Sequence, residues 1–224
     1  MKVIEKLLIG DYKIIQDTDY YRFTSDAVLL SRFLTAKSGE TVADFCSGSG
    51  IVGLHFYAEN KGISSVTLFE MQKELADMSR ESVALNGLGD VFKVENVRVQ
   101  EIPAEYTEKF SLILCNPPYE RGGFENADPK KALCRKELSL TLEELCLAAK
   151  KCLKFGGRFA LVHRADRLAE VLYTLHGCGL EPKKIQLVAG KAGAKPYLAL
   201  VAAVKGGKAG VEVLPTAVNE REGI

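Results

Sequence analysis

The 224-residue chain has only three histidines, His55, His163 and His176. They are scattered without ligand spacing, which argues against a metal site. Its six cysteines, Cys46, Cys115, Cys134, Cys146, Cys152 and Cys178, form no Cys-x-x-Cys pair. Several lie in apolar contexts, so they read as reduced thiols of a cytoplasmic protein, not as a disulfide framework or zinc site. No run of about 18 uncharged apolar residues occurs, so no helical membrane span is expected. The opening stretch, MKVIEKLLIGDYK, carries charges inside its apolar run and lacks a signal-peptide pattern. No internal repeat and no linker interrupts the chain. With 47% hydrophobic and 26% charged residues, it reads as one globular domain with a substantial core.

Net charge is +1, but it is unevenly spread. Residues 1–120 carry 12 basic and 18 acidic side chains, whereas residues 121–208 carry 17 and 8. A basic excess of this kind suits a polyanionic partner, although charge asymmetry alone is equally compatible with an ordinary mixed surface.

Residues 6–15 read as two short strands around Gly10-Asp11. Thr24, Ser25 and Asp26 are N-cap candidates for a short helix over 27–34. Strand and helix then alternate. Strands are expected at 41–46, 65–70, 90–97, 110–115, 158–163, 183–190 and 197–206. Helices are expected at 51–60, 71–87, 139–157 and 164–179. This alternation implies βαβ units and a mostly parallel sheet. The last two strands, joined by a short Gly/Pro segment, read as antiparallel neighbours. The organisation is a small N-terminal extension (1–35), one main domain (36–208) and a tail (209–224).

Two motifs stand at strand ends. The first, DFCSGSGIVG, places Gly48, Gly50 and Gly53 between a strand and a helix, with Glu70 ending the next strand. Glycines let backbone approach a ligand, and a carboxylate at the second strand's end accepts hydrogen bonds from a ribose diol. That physics serves any adenosine cofactor, NAD included. Asp44 tips the balance, because a carboxylate beside a pyrophosphate is repelled, whereas one beside a cationic amino acid is attracted. The spacing Asp44-x-x-x-Gly48-x-Gly50 resembles the first motif of class I S-adenosylmethionine (SAM)-dependent methyltransferases.

The second motif, Asn116-Pro117-Pro118-Tyr119, ends an apolar strand with two residues that lack an N–H. It therefore presents acceptors without competing donors, and Tyr119 offers a flat face for stacking. Such an elbow suits a planar group bearing an amine. It is similar to the fourth motif of amino methyltransferases that act on adenine N6, guanine N2 or a protein glutamine amide. That resemblance implies that Asn116 and the carbonyl of Pro117 hold the target amine, with Pro118 and Tyr119 completing the catalytic elbow.

YRFTSDAVLLSRF near the start, the context of the elbow and KPYLALVAAVKGG near the end resemble the bacterial tRNA1(Val) adenine-37 N6-methyltransferase family. The resemblance implies a Rossmann-like class I fold, a seven-stranded mostly parallel sheet with an antiparallel last strand, and SAM as cofactor with S-adenosylhomocysteine as product. It implies a cofactor site of Thr24, Asp26, Asp44, Cys46, Ser47, Gly48, Gly50, Glu70, Met71, Arg98, Val99 and Asn116. Phe23 belongs to the same N-terminal segment. One departure stands out: the family usually has an acid after the third strand, where this chain has Arg98, which only donates. Asn96 or the backbone around Val99 are the substitutes. The implied substrate is a tRNA, contacted by Arg121, Lys130, Lys131, Arg135 and Lys136. Lys150, Lys151 and Lys154 read as a solvated helix face. A monomer is slightly favoured. The alternatives are a protein-glutamine or rRNA amino methyltransferase, an NAD-dependent oxidoreductase, and a non-catalytic SAM- or RNA-binding module.

Overall fold

A computed structural model describes residues 1–7, 9–18, 20, 25–118 and 140–219. An antiparallel hairpin pairs β1 (Lys2–Lys6) with β2 (Lys13–Asp17), with Lys2 opposite Asp17. Its strands lie farther from Gly10 than the sequence suggests. Helix α1 (Ser25–Phe33) follows, so Ser25 and Asp26 form its first turn. The main run is β3 (Thr41–Phe45), α2 (Ile51–Glu59), β4 (Ser65–Glu70), α3 (Lys73–Leu85), β5 (Phe92–Asn96) and β6 (Phe110–Cys115). It continues with α4 (Leu142–Cys152), β7 (Leu153–Arg164), α5 (Leu168–Gly177), β8 (Leu180–Ala189), β9 (Leu198–Lys205) and β10 (Glu212–Val218).

The main sheet has the order β10-β8-β9-β7-β6-β3-β4-β5. Strand β9 is antiparallel to both neighbours, and the other pairings are parallel. From β3 the chain winds outward through β4 and β5, then returns to lay β6 on the other side of β3. The order reverses there, so a crevice opens beyond the carboxyl ends of β3 and β6. Both faces of the sheet are covered, which explains the almost continuously apolar strands. On one face Ala43, Phe45, Ile113 and Cys115 pack with Leu145, Cys146, Val171 and Leu175 of α4 and α5. On the other, Val42, Leu112 and Leu114 pack with Ala27, Leu30, Val52 and Leu54 of α1 and α2. Among the described residues, no helix is long and apolar enough to cross a membrane.

Two expectations are corrected. The helix expected to end at Gly156-Gly157 stops at Cys152, and the chain enters β7 at once because Leu153 pairs with Phe110 in the buried sheet. The two glycines form an irregularity in that strand, where a side chain on Gly157 would meet the Lys154 carbonyl at 2.8 Å. The tail over 209–224 supplies an eighth strand, since β10 pairs in parallel with β8. Pro215 is tolerated there because β10 is an edge strand with a register break between Leu214 and Ala217. Beyond β10, Asn219 Nδ2 donates to Ser25 Oγ at 2.8 Å and to Tyr197 Oη at 2.6 Å.

The amino-terminal edge of the sheet is locked by an ion pair. Arg158 donates to both oxygens of Glu40, at 2.9 and 2.7 Å, and to the Thr35 carbonyl at 3.1 Å. Glu40 also accepts from Lys37 N at 2.8 Å. Both side chains are largely withdrawn from water, at 19% and 7% exposed. Glu40→Ala strands the guanidinium, so denaturant unfolding should show a loss of about 3–5 kcal/mol. The double variant Glu40→Ala/Arg158→Met should recover much of that loss; equal losses in the two variants would show that the pair itself is not the source.

Candidate active site

The loop after β3 turns sharply, with Cys46, Gly48 and Gly50 all at positive φ (57°, 56° and 89°). Two acidic side chains set its shape. Asp44 Oδ2 accepts from Gly53 N in the first turn of α2 at 2.9 Å. Glu70 Oε2 accepts from Gly48 N and Oε1 from Gln72 N, both at 2.8 Å. A Cβ on Gly53 would lie 2.5 Å from Leu68 Cδ2 and 3.4 Å from Asp44 Oδ2, so a larger residue there displaces the buried Leu68 side chain. Open space lies above Gly48, where a Cβ would meet nothing within 4 Å.

Both carboxyls are buried and hold their protons more tightly than usual. Burial pushes Asp44 up to about 8, opposed by the Gly53 amide and reinforced by Glu70. Burial also raises Glu70, opposed by the amides of Gln72, Gly48 and Met71. Asp44 Oδ1 and Ser47 Oγ have no hydrogen-bond partner and are fully enclosed.

The strand pairing brings the second motif alongside. Phe45 is the register partner of Cys115, so Asn116 follows directly beside the glycine loop. Asn116 is half-buried and Pro117 is buried. A cleft next to the elbow is lined by Pro117, Pro118, Leu140, Leu142, Leu145 and His163. Two cysteines also meet here: Cys115 is buried against Cys46, and burial holds its thiol protonated.

Asp26 is buried in the first turn of α1. Met71 is 38% exposed at the end of β4. Val99 is buried, and the half-exposed Arg98 before it stands 3.7 Å from Glu101. Asn96 donates to the carbonyls of Glu70 and Met71, at 2.9 and 3.0 Å, and so ties the ends of β4 and β5 together. Thr24, Phe23, Tyr119, Arg121, Lys130, Lys131, Arg135 and Lys136 lie outside the described residues.

Lysines from the basic part of the chain serve elsewhere. Lys151 donates to the Ile102 carbonyl, Lys183 to those of Lys208 and Gly210, and Lys205 to Glu108 and the Leu153 carbonyl. They stand at the end of α4, the start of β8 and the end of β9, on the sheet edge away from the elbow. Lys150 and Lys154 are exposed in the same region.

Two site residues escape sequence reading. Ser79 Oγ donates to the Gly48 carbonyl at 3.0 Å, which secures the loop from α3. Its signal is a small polar residue on the buried side of α3, beside Leu75, Met78 and Val83. His163 ends up in the cleft with its Nδ1 accepting from Arg164 N at 2.9 Å, which leaves the neutral ring's proton on Nε2. A lone histidine at the end of an apolar strand carries no local mark of this position.

A family model described as "Methyltransferase small domain" matches residues 23–176. A tRNA1(Val) (adenine(37)-N6)-methyltransferase of Erwinia tasmaniensis is 28% identical over 159 residues, covering 71% of this chain and 65% of that protein. The chain thus spans just under two thirds of that relative's length. A crystal structure described as a predicted O-methyltransferase from Agrobacterium tumefaciens superposes with a TM-score of 0.68 at 22% identity, covering 86% of each chain. That of P. horikoshii TYW2 in complex with MeSAdo gives 0.65 at 15%, covering 92% of this chain and 72% of that one. These two likenesses are of fold.

Asp44 makes the stability of the ligand-free protein depend on pH. Its carboxyl ionises near 3.8 in the unfolded chain and near 8 in the fold. Between those values the unfolded state has lost a proton that the folded state keeps, so stability falls as pH rises. Asp44→Asn can keep the Gly53 bond and has no proton to lose. Its melting temperature should gain on the wild type progressively from pH 4 to pH 8. A constant difference across that range would show that Asp44 is ionised in the fold.

Proposed function

The chain belongs to the methyltransferase small domain family, and we propose on that premise that it methylates the exocyclic N6 amine of an adenosine in tRNA, with SAM as the methyl donor. The observation that carries this reading is one juxtaposition. A glycine loop held by two carboxylates lies beside an Asn116-Pro117-Pro118 elbow, at the carboxyl ends of adjacent strands. The names of the curated relatives point to adenosine 37 of a valine tRNA. A tRNA substrate places the protein in the cytoplasm.

The residues present fit SAM. Asp44 Oδ1, buried and unpartnered, is an acceptor for a cationic amino group. The carboxyl of Glu70 meets the backbone amides of Gly48, Gln72 and Met71 and still has acceptor capacity for a ribose hydroxyl. The open space over Gly48 admits the ligand close to backbone. On this reading Met71, Arg98 and Val99, at the adjoining strand ends, serve the adenine, Cys46, Ser47 and Gly50 form the loop beneath the ligand, and Asp26 serves from the first turn of α1; Thr24 is assigned to the same site from the sequence alone.

When bound, SAM supplies an electrophilic methyl group on sulfur and leaves as S-adenosylhomocysteine. The protein's task is to present a poor nucleophile, since the lone pair of an exocyclic amine is delocalised into the ring. Asn116 Oδ1 and the Pro117 carbonyl accept hydrogen bonds from the two amine N–H groups and fix the nitrogen's orientation, and one of those protons leaves to solvent once the methyl is transferred. The prolines contribute rigidity and no competing N–H. Tyr119 stacks on the base. Such positioning and hydrogen-bond acceptance lower the barrier without a covalent enzyme intermediate. The basic side chains of the 120–137 segment, Arg121, Lys130, Lys131, Arg135 and Lys136, contact phosphates.

Incubation with labelled SAM and bulk tRNA, followed by nucleoside mass spectrometry, should yield N6-methyladenosine in a valine tRNA. Methylation of a protein glutamine with tRNA untouched would instead select the protein substrate. Asn116→Ala should reduce transfer by roughly 100-fold or more while SAM binding changes only a few-fold. Reversing the charges of Lys130, Lys131 and Arg135 should weaken tRNA binding and flatten its dependence on salt. An unchanged affinity in that triple variant would remove the segment from the RNA-binding surface.

A further inference from the structure

Strand β2 carries an amide where an apolar residue would be expected. Gln16 is 2% exposed, and both its Nε2 and its Oε1 lack a hydrogen-bond partner. A leucine would continue the apolar face that Ile14 begins. The amide instead leaves donors and an acceptor buried and unmet, which destabilises the fold unless something bonds them.

Two sets of contacts locate it. Side chains of a strand alternate between faces. Ile15 packs with Leu75 and Met78 of α3, whereas Ile14 packs with the group that contains Ile51 and Val52 in the first turn of α2. Gln16 shares the side of Ile14, the α2 side. Its level follows from the bonds between β2 and α3. Lys13 N donates to Asn86 Oδ1 and Ile15 N to Ser82 Oγ, so the two elements run antiparallel. One step further along α3 is Ser79, whose hydroxyl donates to the Gly48 carbonyl. Gln16 thus stands at the level of the glycine loop, beside the start of α2.

The unmet polar atoms at this level form a complementary set. They are Gln16 Nε2 and Oε1, Asp44 Oδ1 and Ser47 Oγ. Gln16 Nε2 and the Ser47 hydroxyl can donate, while Gln16 Oε1 and Asp44 Oδ1 can accept. Two donors and two acceptors match a zwitterion, with a carboxylate to receive protons and an ammonium to give them. An adenine edge also pairs a donor with an acceptor, but the place of these atoms at the glycine loop, beside Asp44, is that of the amino-acid end.

We propose that Gln16 is a cofactor-recognition residue, its amide bridging the carboxylate and ammonium of the amino-acid end of SAM above the glycine loop. This rests on the reading of the protein as a SAM-dependent methyltransferase. It makes the hairpin β1–β2 part of the cofactor site, and it gives the chain a means of telling SAM and S-adenosylhomocysteine from nucleosides that lack the amino acid.

Calorimetry on the full chain tests this with two ligands, S-adenosylhomocysteine and 5′-methylthioadenosine. The second keeps the nucleoside and thioether but has no amino-acid end. Gln16→Leu, and Gln16→Met as a second apolar variant of similar volume, should bind S-adenosylhomocysteine about 10- to 100-fold more weakly than the wild type. Both should bind 5′-methylthioadenosine within about twofold of the wild type, and without ligand they should melt at or above the wild-type temperature. An equal loss for both ligands, or no loss for S-adenosylhomocysteine, would overturn the assignment while leaving the methyltransferase reading intact. A wild type that binds S-adenosylhomocysteine no better than an unrelated nucleoside would sink that reading, and the assignment with it.

Discussion

Two buried carboxyls accept hydrogen bonds on either side of the loop after β3, Glu70 from Gly48 within it and Asp44 from Gly53 in the helix that follows, and the rest of the site is arranged around that grip. Through Glu70 the loop is tied to the end of β4, through Gly53 to the start of α2, and through Ser79 to α3. The elbow at Asn116 inherits its position because β6 is registered on β3. The same grip creates a tension. Two acidic groups in a dry place favour their neutral forms, yet a cationic ligand favours their charge. Ionising these carboxyls for a cationic ligand therefore offsets part of the attraction, and binding of a positive amino group is coupled to release of a proton.

Most of the central architecture was legible because its signals are local. Apolar runs such as FSLILC and SVTLFE, separated by helical spacing, can only be buried strands of a parallel sheet, and their bounds agree with β6 and β4. The glycine loop and the elbow were legible because each breaks a rule at a strand's end. What was not legible depends on distant partners. Gly156-Gly157 reads as a helix stop in isolation, but Phe110 draws Leu153 into the sheet before the glycines are reached. The stretch EVLPTAV carries a proline and is mostly exposed, so only its pairing with β8 identifies it as a strand. Ser79 and His163 belong to the same class: their residue types are ordinary, and only packing brings them to the site.

The charge imbalance teaches a narrower lesson. Composition counts lysines without saying what they hold. Lys151, Lys183 and Lys205 are committed to backbone carbonyls on the edge away from the elbow, and Arg158 is locked to Glu40. These four basic side chains are thus structural, three of them bonding backbone carbonyls of loops and element ends.

Asn219 bonds Ser25, 194 residues earlier in the chain, together with Tyr197. The first turn of α1, which flanks the crevice, is thereby fastened by a residue made long after it. On the ribosome, β3, its glycine loop and the elbow can assemble while that flank is still unfastened. The order of synthesis and the order of completion run in opposite directions. The earliest segment of the site thus gains one of its bonds only when the end of the last strand is in place, while Ala27 and Leu30 already hold the helix against α2.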